Sequence, residues 1–222
     1  HYIRRVEGKL PLKLIQSFNQ FKKKYIKKPL DLATRQASEM VINTISSSLP
    51  ELVGGSADLT GSNNTKGSKM EVINSTNYNG NYIYYGIREH GMASIMNGLS
   101  LHKGIIPFGG TFLIFLDYCK PSLRLAALMK QRAIYILTHD SIGLGEDGPT
   151  HQPIEQLASL RATPNVKVFR PADLIETAEA WELALSNSKG PSVIALTRQK
   201  LPMIRKKYHA KNISAQGAYE LK

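Results

Sequence analysis

The run Thr138-His139-Asp140-Ser141-Ile142-Gly143-Leu144-Gly145-Glu146-Asp147-Gly148-Pro149-Thr150-His151-Gln152-Pro153 places two histidines and three carboxylates in a stretch shaped by glycine and proline. Imidazole changes charge near neutral pH, so beside carboxylates it is a hydrogen-bonding and proton-moving group. Such a composition is costly to desolvate unless it binds something. A histidine by itself is more often structural. Two of them flanking Asp147 point instead to a binding loop. Zinc does not suit the pair, because their separation lacks the helical spacing of paired ligands. The single cysteine, Cys119, excludes a CxxC zinc site and an intrachain disulfide framework and fits a reducing, cytoplasmic compartment.

Elements that would hold this loop can be read from the spacing of apolar residues. Short runs at Leu52-Val53, Tyr82–Tyr85, Ile105–Phe108, Ala133–Leu137, Val166–Phe169 and Ser192–Leu196 read as strands. Between them, Ala37, Met40, Val41, Thr44 and Ile45, then Met92, Ile95, Met96 and Leu99, repeat at helical spacing. A long helical region is expected to begin at Phe112–Tyr118, break at Pro121 and resume through Leu123 and Ala127. A further helix, 173–187, opens on Asp173 with Glu176 three residues on, and the polar stretch from Ser56 to Asn81 reads mostly as loop. Strands alternating with helices predict an α/β domain with a mainly parallel sheet and helices on both faces.

In such a sheet, ligands bind at the carboxyl ends of the strands, where loops open and helix N-termini point outward. The polar residues just beyond the strand ends are Ser56, Asp58 and Ser62, then Arg88, Glu89 and His90, then the histidine loop, Arg170 and Arg198.

Lysine and arginine exceed aspartate and glutamate by 12, a balance that raises the question of nucleic acid. The excess is not spread evenly: residues 1–28 carry +8, residues 198–222 carry +6 and residues 29–197 carry −2. No nucleic-acid motif or aromatic interleaving accompanies the basic ends, so neither nucleic acid nor membrane is an expected partner; a basic nucleic-acid-binding module is the non-enzymatic alternative. Residues 1–30 read as a basic inter-domain linker with one surface helix, 31–200 as the α/β domain, and 201–222 as a linker leading into a truncated further domain. The chain starts at His1 and stops mid-pattern, as expected of a segment of a longer protein.

Together with Ala33-Thr34-Arg35, Gly54-Gly55-Ser56-Ala57-Asp58-Leu59, Gly86-Ile87-Arg88-Glu89-His90-Gly91-Met92, Thr111-Phe112-Leu113-Ile114-Phe115 and Leu196-Thr197-Arg198-Gln199, the run Thr138–Pro153 resembles the transketolase family. The likeness is to its central domain, which binds the pyrimidine ring of thiamine diphosphate. The six motifs occur in order across roughly residues 33–200, and Asn212–Tyr219 resembles the start of the family's C-terminal domain.

The resemblance implies a transferase that reversibly moves a two-carbon ketol group from a ketose phosphate to an aldose phosphate in the pentose phosphate pathway. It implies that Glu89 shares a proton with the pyrimidine nitrogen of the cofactor. Phe115 would stack on that ring, Phe112 and Tyr118 would complete the pocket, and Asp58 and Leu59 would flank the cofactor. Arg35, Ser62 and Arg198 match the family's phosphate-binding residues. His139 and His151 would hydrogen-bond substrate oxygens near the reacting carbons, and Asp147 would accept from the C2 hydroxyl. Magnesium or another divalent cation is implied too, with ligands in an N-terminal domain, because no GDG motif occurs in this chain and it holds no metal ligand set of its own. The active site would lie between the subunits of a homodimer. Dihydroxyacetone synthase and 1-deoxyxylulose-5-phosphate synthase are the related alternatives.

Overall fold

A computed structural model describes residues 2–221. Three helices come first: α1 (Tyr2–Val6), α2 (Leu12–Lys27) and α3 (Thr34–Ile45). After them come β1 (Leu52–Ser56), α4 (Thr60–Asn63), β2 (Tyr82–Tyr84), α5 (Glu89–His102), β3 (Ile106–Phe112), α6 (Leu116–Leu128) and β4 (Ile134–Thr138). The chain continues through α7 (Gln156–Ala162), β5 (Lys167–Phe169), α8 (Leu174–Ser186) and β6 (Ser192–Leu196). The strands form one six-stranded sheet in the order β2-β1-β3-β4-β6-β5, and every neighbouring pair is parallel.

Both faces of the sheet are covered, so β3, β4 and β6 are buried throughout and read as unbroken apolar runs. The two-residue period of a strand sorts their side chains. Ile134, Ile136 and Ile194 point into one core with Leu14 and Phe18 of α2, Val41 and Ile42 of α3 and Trp181 of α8. Tyr135, Leu137 and Val193 point into the other, with Met92 and Met96 of α5 and Leu116 and Leu123 of α6. Glycines let the central strands accept large rings and thioethers. A Cβ on Gly54 would lie 2.0 Å from the Phe108 ring, and one on Gly109 would lie 2.5 Å from the Met96 sulfur. Phe108 in turn meets Trp181 edge-on, and the indole N–H donates to Ser38 Oγ at 2.9 Å.

The basic ends turn inward. Leu14, Phe18, Phe21 and Lys22 of α2 are buried, so the helix expected on the surface packs against α3 and α8. Lys22 Nζ donates to Glu179 Oε1 at 3.1 Å, and Arg205 Nη1 donates to Glu179 Oε2 at 3.2 Å. The backbone N–H and hydroxyl of Ser214 donate to the same carboxylate. Burial by itself would raise the Glu179 pKa; Ser214, Arg205 and Lys22 together hold it below the usual value. Asp173 ties down the same region. Its Oδ1 caps α8 by accepting from the N–H groups of Ile175 and Glu176, while Oδ2 accepts from those of Ile204 and Arg205.

Two further expectations need correction. Phe112 ends strand β3 instead of opening a helix, because its backbone pairs with Thr138 of β4. Pro121 lies on the exposed side of a continuous α6 and does not interrupt it. Helix α7, too short to show a period, occupies a stretch between the histidine loop and β5 for which the sequence offered no element.

Replacing Glu179 leaves two buried cations without their partner. Glu179→Ala is expected to destabilise the fold by about 3–5 kcal/mol, read as a lowered urea midpoint, whereas a surface substitution such as Lys69→Ala, at an exposed side chain, should cost less than about 0.5 kcal/mol. Equal midpoints for the two variants would show that the cluster contributes nothing.

Candidate active site

The strand order reverses between β1 and β3: the chain steps from β1 outward to β2, then returns to build β3, β4 and the rest on the other side. A crevice at such a switch point, outside the carboxyl ends of the strands, is where open α/β sheets bind ligands.

On the β6 side the site is set by two threonines. Thr197, just past β6, donates its N–H to Thr34 Oγ1 at 2.7 Å, and its hydroxyl oxygen accepts from the Thr34 N–H at 3.0 Å. Both residues are buried. This reciprocal pair stitches the start of α3 to the end of β6 and so brings Arg35 beside Arg198. Each guanidinium is aimed by a backbone carbonyl: Arg35 Nη1 donates to Ser62 O at 2.6 Å, and Arg198 Nη1 donates to Leu144 O at 2.7 Å. Burial, then the positive charge of Arg198, lower the Arg35 pKa from its ordinary value. Among the described residues no carboxylate forms an ion pair with either arginine. Two adjacent cations without a counter-charge suit an anion with two or more acceptor oxygens.

Next to them stands a group of rings from three segments. Phe112 and Phe115 are stacked, with centroids 5.5 Å apart and planes at 14°. His139 lies on Phe112 at 3.7 Å, His151 meets Phe112 at 5.7 Å and Phe115 at 5.5 Å, and Tyr118 adjoins Phe115 at 5.7 Å. Phe112 ends β3, Phe115 caps α6, and Tyr118, in the first turn of α6, is exposed. The i, i+3 spacing of these three aromatics therefore spans a strand end, a turn and a helix, not one helix face.

His139 sits immediately after β4 with φ of +58°, a left-handed conformation that turns its ring into the site. Burial, then the positive charge of Arg35, push its pKa from the usual 6.5 down to about 4; Arg198 and His151 act in the same direction and Asp147 opposes them. All four groups thus act on this imidazole. The His139 loop folds back over β6: Gly145, at φ +110°, passes where a Cβ would lie 3.4 Å from Arg198 Nη1, and its carbonyl accepts from Gln152 Nε2. His151 Nδ1 lies 2.8 Å from the Thr150 hydroxyl.

Glu89 is the first residue of α5 and is buried, yet no hydrogen bond from a described residue reaches its carboxylate. It lies close enough to α6 to act on the Cys119 thiol, which burial, then the charges of Glu89 and Asp117, push up to about 12. A stacked aromatic pair, with a buried carboxylate near the Cys119 turn of α6 and no donor to it among the described residues, fits a flat heteroaromatic ring with a nitrogen to be hydrogen-bonded. Asp58, at φ +60°, and Leu59 lie between β1 and α4 on the same edge, with Ser62 exposed in α4 and its carbonyl accepting from Arg35.

Arg35, Arg198, His139, His151 and Asp147 are thus drawn together, with Phe112, Phe115 and Tyr118 packed on the histidines. Asp140 is not part of this group: its buried carboxylate accepts from Arg170 Nε at 2.7 Å. Asn63 gives no sign of itself in the sequence. It is one polar residue in a polar stretch, and only the fold buries it between Ser56 and Thr138.

A family model described as "Transketolase, pyrimidine binding domain" matches residues 31–203. A transketolase of Sinorhizobium medicae is 60% identical over 191 residues, covering 86% of this chain and 28% of that protein. One from Rhodobacter capsulatus is 57% identical over 207 residues, covering 93% and 31%. A crystal structure of transketolase from Pichia stipitis in complex with sedoheptulose-7-phosphate superposes with a TM-score of 0.85 at 43% identity, covering 92% of this chain and 30% of that one. The chain therefore spans about a third of the length of the curated relatives it matches.

A histidine near pKa 4 when folded and 6.5 when unfolded takes up its proton first in the unfolded state, so stability falls as pH drops from 6.5 towards 4. His139→Gln should flatten part of that fall. Urea midpoints of both proteins at about pH 7 and about pH 5 measure it, and parallel losses would contradict the depressed pKa.

Proposed function

Since the chain belongs to the transketolase family through its pyrimidine binding domain, we propose that it forms the pyrimidine-side half of an active site that moves a two-carbon ketol group from a ketose phosphate to an aldose phosphate. The observation that carries this reading is the unpaired Arg35–Arg198 couple set beside the Phe112, Phe115, His139 and His151 rings.

Thiamine diphosphate, when bound, would supply the nucleophilic carbon that the transfer of a two-carbon unit requires. Phe115 and Phe112 offer the flat surface for the pyrimidine ring, and Tyr118 closes its outer side. Glu89 holds a proton against the ring nitrogen, with the low-polarity surroundings that also bury Cys119 strengthening that hydrogen bond. Asp58 and Leu59 border the same ring from the β1 side.

Arg35 and Arg198, with the Ser62 hydroxyl, bind the sugar phosphate and fix the distance from the phosphate to the reacting carbons. His139, neutral at physiological pH, hydrogen-bonds the sugar without adding charge. His151 stabilises negative charge developing on the substrate oxygen or carries its proton, and Asp147 accepts from the C2 hydroxyl.

Other parts of the site come from elsewhere. No cluster of three His, Cys, Asp or Glu residues able to hold a metal exists among the described residues, so magnesium or another divalent ion and the diphosphate are assigned to a different part of the protein. A homodimer with the site between subunits is supported by exposed apolar side chains on neighbouring helices α5 and α6: Ile95, Leu101, Leu125 and Leu128. No described helix is long and apolar enough to cross a membrane, and the lone, buried Cys119 suits the cytoplasm.

Arg198→Ala should raise KM for phosphorylated sugars roughly 10- to 100-fold and leave unphosphorylated substrates nearly unchanged. Equal effects on both would remove Arg198 from the phosphate. Glu89→Gln should lower kcat by about 10²–10⁴-fold with the circular dichroism spectrum intact, and turnover near that of the unmodified enzyme would end its role as proton holder.

A further inference from the structure

Beneath the site runs a line of buried hydroxyls and one amide whose hydrogen-bond directions are fixed by a single backbone group. Ser56 Oγ lies 3.1 Å from the Gly110 carbonyl, Asn63 Nδ2 lies 3.1 Å from Ser56 Oγ, Thr138 Oγ1 lies 2.6 Å from Asn63 Oδ1, and His139 Nδ1 lies 2.9 Å from Thr138 Oγ1. Ser56, Asn63 and Thr138 are 0% exposed and His139 is 2% exposed, so the line is closed to bulk water.

A carbonyl oxygen only accepts, so the one hydroxyl proton of Ser56 goes to Gly110. Ser56 Oγ must then accept from Asn63, which places the amide nitrogen towards Ser56 and the amide oxygen towards Thr138. That oxygen also only accepts, so Thr138 spends its one proton on Asn63. Only the lone pair on Thr138 Oγ1 is left for His139, which requires a proton on Nδ1. The Nε2 of the same ring has no hydrogen-bond partner among the described residues.

We propose that Ser56, Asn63 and Thr138 are positioning residues that hold His139 in the Nδ1–H tautomer and leave Nε2 as its one position able to accept a proton or a hydrogen bond from the substrate. The relay joins β1, α4, β3 and β4, so the folding of the switch-point crevice itself chooses the tautomer. The ring has little freedom to answer otherwise. A 180° flip would keep its face on Phe112 but put Cδ2 in place of Nδ1 against Thr138 Oγ1, and so break that hydrogen bond. Burial and the neighbouring arginines keep the ring neutral in the free protein, so Nε2 is bare when the sugar arrives.

That His139 touches substrate rests on the function proposed above; the tautomer does not. Both are tested by ¹⁵N NMR of the holoenzyme labelled in histidine, with the His139 signals assigned by their loss in His139→Gln. At neutral pH Nδ1 should carry the proton and Nε2 should be bare. A proton on Nε2 in the unmodified enzyme would overturn the relay, whatever His139 binds. Thr138→Val should move the ring towards the Nε2–H form and raise KM for a ketose phosphate roughly tenfold, with a smaller change in kcat. Thr138→Ser should restore both, and an unchanged tautomer in a folded Thr138→Val enzyme would also overturn the relay. Adding a ketose phosphate should shift Nε2 while Nδ1 stays protonated. A bare Nε2 that ignores the sugar would leave the relay standing and remove His139 from the substrate.

Discussion

One buried carboxylate, Glu179, holds the two ends of this chain to its body. It lies on α8, wholly removed from solvent, and its acceptor capacity is met by Lys22 from the N-terminal end and by Arg205 and Ser214 from the C-terminal end. An isolated ion at that depth would be prohibitive, so the carboxylate and its cations require one another. Arg4 and Arg5 repeat the pattern on the buried Glu51. The segregation of charge along the sequence is therefore partly a pairing rule: cations in the ends are matched to carboxylates sunk in a slightly acidic body. With α2 and residues 203–214 seated in this way, α8 and α3 are pressed onto one face of the sheet.

That packing has a direct effect on the site. Helix α3 must start where β6 stops, because Thr34 and Thr197 exchange hydrogen bonds, and this meeting places two arginines side by side against their own repulsion. Gly54 admits Phe108 on that same face and Gly109 admits Met96 on the other, so closely that the central strands cannot shift without collision. The crevice between β1 and β3 is thus bordered by rigid strands, and apart from Asp147 and His151 of the histidine loop its polar groups stand at strand ends and helix starts. Such support holds a site more tightly than loops alone do.

Much of this is legible in the residues. Unbroken apolar runs identify strands with both faces covered, and the polar residues just beyond those strands include Arg198, Glu89 and the histidine loop. Failures arise where a local signal has two readings. Phe112, Phe115 and Tyr118 keep helical spacing across a strand end and a turn, because the period of a helix and the geometry of a β-to-α junction coincide there. Pro121 looks like a break, yet its exposed position lets α6 run through it. Lys22 reads as a surface charge until the fold supplies Glu179. Asn63 carries no signal at all, since its value lies in having a serine on one side and a threonine on the other, seven and seventy-five residues away.

The latch between Thr34 and Thr197 joins residues 163 positions apart, and β6 takes its place between β4 and β5, which both precede it in the chain. Contacts of such long sequence separation form late and at high entropic cost. The Arg35–Arg198 pair is thus completed by β6, the last strand in chain order. A chain still emerging from the ribosome exposes Arg35 before Arg198 has been added, and one cut before residue 197 lacks Arg198 altogether, so neither holds the paired cations. Completion of the sheet and the pairing of the two arginines are one event, so a probe of that pairing reports on folding as well.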